Sequence, residues 1–322
     1  MFTMRFDMRA PDGVATMPGL YEAAIEMAAW AEDRGGVTAI ISEHHASPDG
    51  YIPSPLLLAS AMVARTQHLP ITIAAALMPF YDPIRLAEDM AVLDILSKGR
   101  VSYVMALGYR PEEFELYGVD WTQRGAVAER KLGVLLQAVT GEPFEYEGRQ
   151  VQIMPSPTAP ISISWGGGTL PAARRAGRNG VGFFAESDGE GLREAYEDEA
   201  RKHGHEPGLC MLSAPGTVTT AFVADDVDRG WDELGPYLMH DVRMYGEWNV
   251  DKENIASLSQ SRSVEELRAE RGAHRIYSVD EAIDIVKGGG FLSLMPLCGG
   301  LPPELAWKYL KIVTDDVIPA TK

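Results

Sequence analysis

Residues 69–107 read LPITIAAALMPFYDPIRLAEDMAVLDILSKGRVSYVMAL, and this stretch decides the fold. Leu69–Leu77 and Val101–Leu107 are short β-rich runs free of charge, as strands covered on both faces require. Between them, Asp82-Pro83 supplies a cap and a first-turn proline. Leu86, Met90, Leu93 and Leu96 then space the apolar side of a helix that ends near Gly99. Strand, helix and strand in so short a span make a βαβ unit, whose two strands run parallel.

The unit recurs outward in both directions. On the amino-terminal side, Phe2–Arg9 is a strand, and a helix follows from Pro18 to Arg34, with Gly35 as its stop. Val37–Ser42 is the second strand, and Ser54-Pro55 opens the next helix. On the other side come a helix from about Gln123 to Thr140, a small hairpin over Glu145–Ile153 and a fifth strand, Ile161–Trp165. Helix Leu170–Gly177, strand Val181–Ala185 and helix Gly191–His203 continue the rhythm. A seventh strand is expected within Leu209–Ala224, where Pro215-Gly216 blurs the boundaries. Phe291–Leu297 and the helix Pro303–Val317 close the series at eight units. Eight repeats predict an α/β fold, a (β/α)8 TIM barrel formed as one domain by residues 1–322, with an open doubly wound sheet as the alternative.

One stretch breaks the rhythm. Met244–Arg275 is polar and weakly periodic, with Trp248 its main apolar feature. An insertion so near the last strands is expected to act as a lid over the barrel mouth, a disordered loop being the alternative.

Composition narrows the function classes. The formal charge of −17 works against phosphate backbones, so nucleic acid is not expected as a partner. Cys210 and Cys298 are too few for a disulfide framework and suggest a reducing, cytoplasmic setting. No opening segment pairs a basic start with a long apolar run, so neither secretion nor membrane insertion is expected.

In a parallel barrel, ligands sit at the carboxyl ends of the strands. The second strand ends Ser42-Glu43-His44-His45, and alternation of side chains lets only one of the two histidines face the mouth. His44 is a candidate general base there, or else a hydrogen-bonded histidine holding the loop. Three consecutive residues do not converge easily on one ion, so no metal site is expected. The third strand ends in Ala74, Ala75 and Ala76, small enough for a flat ring to lie close, or simply tightly packed. The fifth ends in Gly166, Gly167, Gly168 and Thr169 and runs straight into a helix. That is either a phosphate-binding turn or only a tight one. Arg100 opens the fourth strand at its amino end, where a structural salt bridge is expected, whereas Arg110 follows its mouth end and is placed for a ligand.

Read together, these residues resemble the bacterial luciferase-like flavin monooxygenase superfamily. The likeness is carried by Ser42-Glu43-His44-His45, Ala74-Ala75, Arg85-Leu86-Ala87-Glu88-Asp89, Leu96-Ser97-Lys98-Gly99-Arg100 and Glu113-Phe114 with Tyr117-Gly118. It is strongest over Val37–Gln137 and weaker through Gly166–Gly168 to Gly299–Glu304. The resemblance implies a barrel, usually a homodimer, that binds reduced FMN or else the deazaflavin coenzyme F-420. It matches His44 to the family's active-site histidine, Ala74-Ala75 to a cis peptide against the flavin ring, and Gly166–Thr169 to the phosphate turn. The implied reaction is oxidation of a small organic substrate by O2, with a flavin reductase supplying reduced flavin. A deazaflavin-dependent hydride-transfer enzyme and a non-catalytic flavin-binding subunit are the alternatives. One departure stands out: Ala106-Leu107 replaces the luciferase Cys-Arg pair whose arginine helps hold the cofactor phosphate, and Arg110 is the candidate replacement.

Overall fold

The computed structural model describes residues 1–250, 252 and 255–321. Its strands are β1 (Phe2–Phe6), β2 (Gly36–Ile41), β3 (Ile71–Leu77), β4 (Val101–Ala106), β5 (Phe144–Tyr146), β6 (Arg149–Val151), β7 (Ile163–Gly166), β8 (Gly182–Ala185), β9 (Cys210–Leu212), β10 (Thr220–Ala224), β11 (His274–Ser278) and β12 (Leu292–Leu294). The short β5–β6 hairpin stands apart, and the other ten strands form one parallel sheet in the order β11-β10-β12-β1-β2-β3-β4-β7-β8-β9. The first strand pairs with the last, Phe2 opposite Leu292 and Met4 opposite Leu294, as in a (β/α)8 barrel, and among the described residues β9 and β11 end the sheet without pairing with each other.

The helices begin where the sequence places them, for local reasons. Asp82 accepts hydrogen bonds from the amides of Ile84 (3.0 Å) and Arg85 (2.9 Å), and Pro83 takes the first helical position of Pro83–Ser97. Lys98 and Gly99 then turn left-handed, at φ 57° and 79°, and reverse the chain into β4. Core side chains from the strands, among them Phe2, Met4, Ile73, Met105 and Trp165, are fully buried beneath the helix layer.

The sheet departs from the eight-strand expectation in two places. The seventh strand is split: Cys210–Leu212 pairs with β8, whereas Thr220–Ala224 pairs with β12 on the far side of the Pro215-Gly216 turn. A proline without an amide donor, followed by a glycine at φ 81°, breaks the ladder between them. The second departure is β11, which pairs with β10 over five residues and leads into the helix Val279–Lys287.

The Met244–Arg275 stretch is therefore not a structureless insertion. It begins as the last turn of the 22-residue helix Val227–Trp248, contains the short helix Val264–Glu270, and ends inside β11. Asp251, Glu253 and Asn254, part of the expected lid, lie outside the described residues. Arg100 differs from expectation too. Its guanidinium donates to the carbonyls of Leu69 (2.8 Å), Ser97 (2.7 Å) and Thr66 (3.2 Å) rather than to a carboxylate. It ties the start of β4 to that of β3.

Candidate active site

Parallel strands deliver their carboxyl ends to one rim. On four neighbouring strands, β2, β3, β4 and β7, that rim carries Glu43–His45, Ala74–Leu77, Leu107–Arg110 and Gly166–Thr169. At the usual strand spacing these positions span roughly 14 Å along the rim.

His44 is buried, and both ring nitrogens have partners: Nδ1 lies 2.8 Å from Glu113 Oε1 and Nε2 lies 3.2 Å from the Tyr109 hydroxyl. A carboxylate only accepts, so Nδ1 carries the hydrogen. Burial lowers the His44 pKa below its usual value and outweighs the opposing pull of Glu113. The ring is then neutral near pH 7, and Nε2, the acceptor for the tyrosine hydroxyl, is its basic atom.

Glu113 is the hub. Its Oε1 also accepts from the His45 amide at 2.8 Å and lies 3.4 Å from Arg110 Nη1, while Oε2 is buried without a partner among the described residues. Arg110 donates a second bond, 2.6 Å long, to the His45 carbonyl, so it is turned toward β2 rather than toward the β7 turn. His45 faces a different network. Its Nε2 lies 2.8 Å from Glu43 Oε1, its Nδ1 3.1 Å from the Tyr117 hydroxyl, and Tyr81 donates to the other Glu43 oxygen at 2.7 Å. Burial raises the Glu43 pKa despite these donors. The alternation expected for consecutive strand-end residues thus separates the two rings.

Ala74–Ala75 is a cis peptide, and the register to β4 slips there, leaving Ala75 unpaired and half-buried. At the end of β7, Gly167 adopts φ 147° and donates its amide to the Phe184 carbonyl at 2.9 Å. Thr169 caps the helix Leu170–Arg178 through its hydroxyl. The amides of Gly168 and Thr169 bond to none of the described residues. Close packing also requires the glycines, since a Cβ on Gly167 would meet Ala172 Cβ at 2.9 Å and one on Gly168 would meet Ser187 Cβ at 3.1 Å.

Several residues of this rim are not singled out by sequence reasoning. Arg9, fully buried, bonds to Asp7 (3.0 Å) and Asp49 (2.7 Å), and the rings of Tyr51, Tyr245 and Trp248 surround it at 4.5–5.0 Å. His240 donates to the same Asp49 oxygen at 2.8 Å. Burial pushes the Asp49 carboxyl up, but these donors outweigh it and hold the group below the usual range. The only available signal was Arg5, Asp7 and Arg9 alternating with Met4, Phe6 and Met8, which puts three charges on one side of an otherwise apolar strand. Trp248 was visible as an isolated aromatic, but not its contact with His44 at 4.9 Å between ring centres.

Comparison with known proteins follows this geometry. The family model described as luciferase-like monooxygenase matches residues 4–284. The oxygenase component of a flavin-dependent trigonelline monooxygenase from Acinetobacter baylyi is 30% identical over 162 residues, 49% of this chain and 44% of the relative. An F420-dependent glucose-6-phosphate dehydrogenase from Amycolatopsis mediterranei is 24% identical over 322 residues, 92% of this chain and 93% of the relative. The oxygenating constituent of 3,6-diketocamphane monooxygenase from Pseudomonas putida, solved with FMN, superposes with a TM-score of 0.73 at 19% identity over 99% of this chain and 98% of the other, a likeness of fold. The matches to the first curated relatives span half of their length or less. A family match that runs from the first strand to the helix after β11 takes in the ends of β2, β3, β4 and β7, and the chain belongs to the luciferase-like monooxygenase family.

Proposed function

We propose that this chain is the oxygenating component of a flavin-dependent monooxygenase, taking reduced FMN from a separate flavin reductase and using O2 to oxidise a small organic substrate. The observation that carries this reading is the alignment, on four neighbouring strand ends, of a buried histidine–glutamate pair, a half-buried alanine step and a glycine turn with two unbonded amides. The residues fit the cofactor. The small side chains of Ala74, Ala75 and Ala106 leave room for a planar ring, and the amides of Gly168 and Thr169 at a helix start suit a phosphate. Arg110, held by His45 and Glu113, serves the histidine side of the rim instead of that phosphate.

When bound, the reduced flavin supplies the electrons that activate oxygen. The chain's own residues position and protect. His44 Nε2 takes a proton from the substrate or returns one to it, and Glu113 holds the tautomer that leaves this atom basic. Tyr51 and Tyr109 pack against the imidazole and keep water from it. The exposed apolar side chains Leu57, Val92 and Leu96 on neighbouring helices support a homodimer, checked by sedimentation.

A deazaflavin-dependent hydride transfer is the second reading, favoured by the F420-dependent relative that matches over nearly the whole chain. Anaerobic titration of the protein with reduced FMN and with the reduced deazaflavin separates the two. Tighter binding of FMN is expected. Deazaflavin binding at least about tenfold tighter, a difference of about 1.4 kcal/mol, overturns the monooxygenase reading in favour of the second. Binding of neither overturns both.

A further inference from the structure

The His44 side of the rim is filled by a side chain of the protein itself. Trp248, the last residue of the long helix Val227–Trp248, lies 4.9 Å from the His44 ring and 6.0 Å from the Tyr51 ring, centre to centre. Two guanidinium groups lie over its indole, Arg9 at 4.5 Å and Arg110 at 4.1 Å from the ring centre. Both arginines are buried, and each keeps one N–H without a partner among the described residues, Nη2 of Arg9 and Nε of Arg110.

We propose that Trp248 occupies the substrate's place, and that the substrate is an uncharged, electron-rich planar aromatic compound carrying a hydroxyl. Three observations support this. Cations over a ring face favour a π-rich ring, and the indole that fills the position is the best natural example. Net charge argues against an anion: Asp7 and Asp49 already bond to Arg9, Glu113 lies beside Arg110, and Asp241 stands 3.7 Å from Arg9. The unpaired atoms suit a hydroxyl, which accepts from one of the free arginine N–H groups and donates to the unpartnered Glu113 Oε2.

Trp248 is also the neighbour of His44 best placed to leave. Tyr51 is buried and linked by its hydroxyl to Tyr245, and Tyr109 is bonded to His44 itself. Trp248 is half-buried at a helix terminus, and Val250, two residues on, is 78% exposed. Turning the Trp248 side chain out about its own bonds frees a slot of indole size against His44, while the helical turn stays held by buried Asn249, which donates to the Tyr245 carbonyl at 3.0 Å. The inference rests on the flavin reading only for the assumption that His44 faces the reacting ligand.

Binding without turnover tests it. The full-length protein, free of flavin, is titrated calorimetrically with 2-naphthol, 2-naphthoate and decanol. The expected order is 2-naphthol tightest, with the anion and the aliphatic alcohol each weaker by about tenfold or more. Trp248→Ala should tighten 2-naphthol at least about tenfold, because no side chain has to be displaced, and Trp248→Phe should stay near the parent. Trp248→Leu, which keeps apolar contact, repeats the test if the alanine variant does not fold. Equal binding of decanol overturns the proposal, since the variant then has only an adventitious hole. Tighter binding of naphthoate overturns the charge argument, and weaker 2-naphthol binding in both Trp248→Ala and Trp248→Leu makes Trp248 a wall that the ligand stacks on. Because reduced FMN is titrated separately, loss of the flavin reading shows as absent FMN binding with naphthol binding intact. Loss of this proposal shows as the reverse.

Discussion

His44 Nδ1 and Glu113 Oε1 lie 2.8 Å apart, joining the end of β2 to the helix that follows β4, and both side chains are buried. One carboxylate oxygen therefore sets the tautomer of the histidine, supports the backbone of the next residue and faces Arg110. Its loss would uncover three polar groups at once.

The first prediction concerns pH. Burial lowers the folded pKa of His44, while Glu113 raises it and is outweighed. In the unfolded chain the imidazole takes its proton near its ordinary value of 6.5, and in the folded chain it does so only at lower pH. The stability linked to this group is thus fully present above about pH 6.5 and is lost as pH falls through the lower folded value. Glu113→Gln removes the opposing pull, so the His44 midpoint should move lower still, read from its imidazole resonances and from the acid limb of kcat/KM. A midpoint that stays put or rises would remove Glu113 from its positioning role.

Replacing the two histidines should separate their functions. His44→Ala is expected to reduce turnover by about 10²-fold or more while leaving reduced-flavin binding in place. His45→Ala removes the partner of Glu43 and Tyr117, and its main effect should be a lower denaturation midpoint. Equal kinetic losses in both, with unfolding in both, would make His44 a loop-holding residue.

The glycine turn is best tested at Thr169. Any side chain at Gly167 meets both a left-handed backbone and the Ala172 methyl, so a substitution there confounds strain with charge. Thr169→Asp keeps an oxygen that can cap the helix Leu170–Arg178 and adds a negative charge beside the free amides. Reduced FMN should bind about tenfold more weakly or worse, by isothermal titration, with thermal stability near the parent's. Unchanged affinity in a folded variant would place the phosphate elsewhere.

Arg100 supplies a control from the opposite end of the barrel. Its guanidinium satisfies carbonyls at the starts of β3 and β4, so Arg100→Gln should cost about 1–3 kcal/mol in urea unfolding. Flavin affinity and kcat should hardly change, because residues at the amino ends of barrel strands serve stability. A variant that unfolds normally but loses flavin would contradict that division.

From residues 69–107 outward, the sequence by itself determined the strand–helix alternation and the caps at Thr169 and Asp82. It also brought His44, Ala74, Ala75 and Gly166–Thr169 to one rim. Those features are local: a proline after an aspartate, glycines at a turn, and an apolar run too short to be a helix act through their own backbone. Four things were left to the tertiary structure. Whether Leu209–Ala224 is one strand or two, and whether Arg275 closes an insertion or sits in β11, depended on which neighbours took up their hydrogen bonds. The direction of Arg110 depended on Glu113 and on the His45 carbonyl, 65 residues away. Trp248 reaches His44 across more than 200 residues only because Asp241, Tyr245 and Trp248 share one side of a helix laid against Arg9. Such contacts follow from packing between distant elements, which no local propensity encodes.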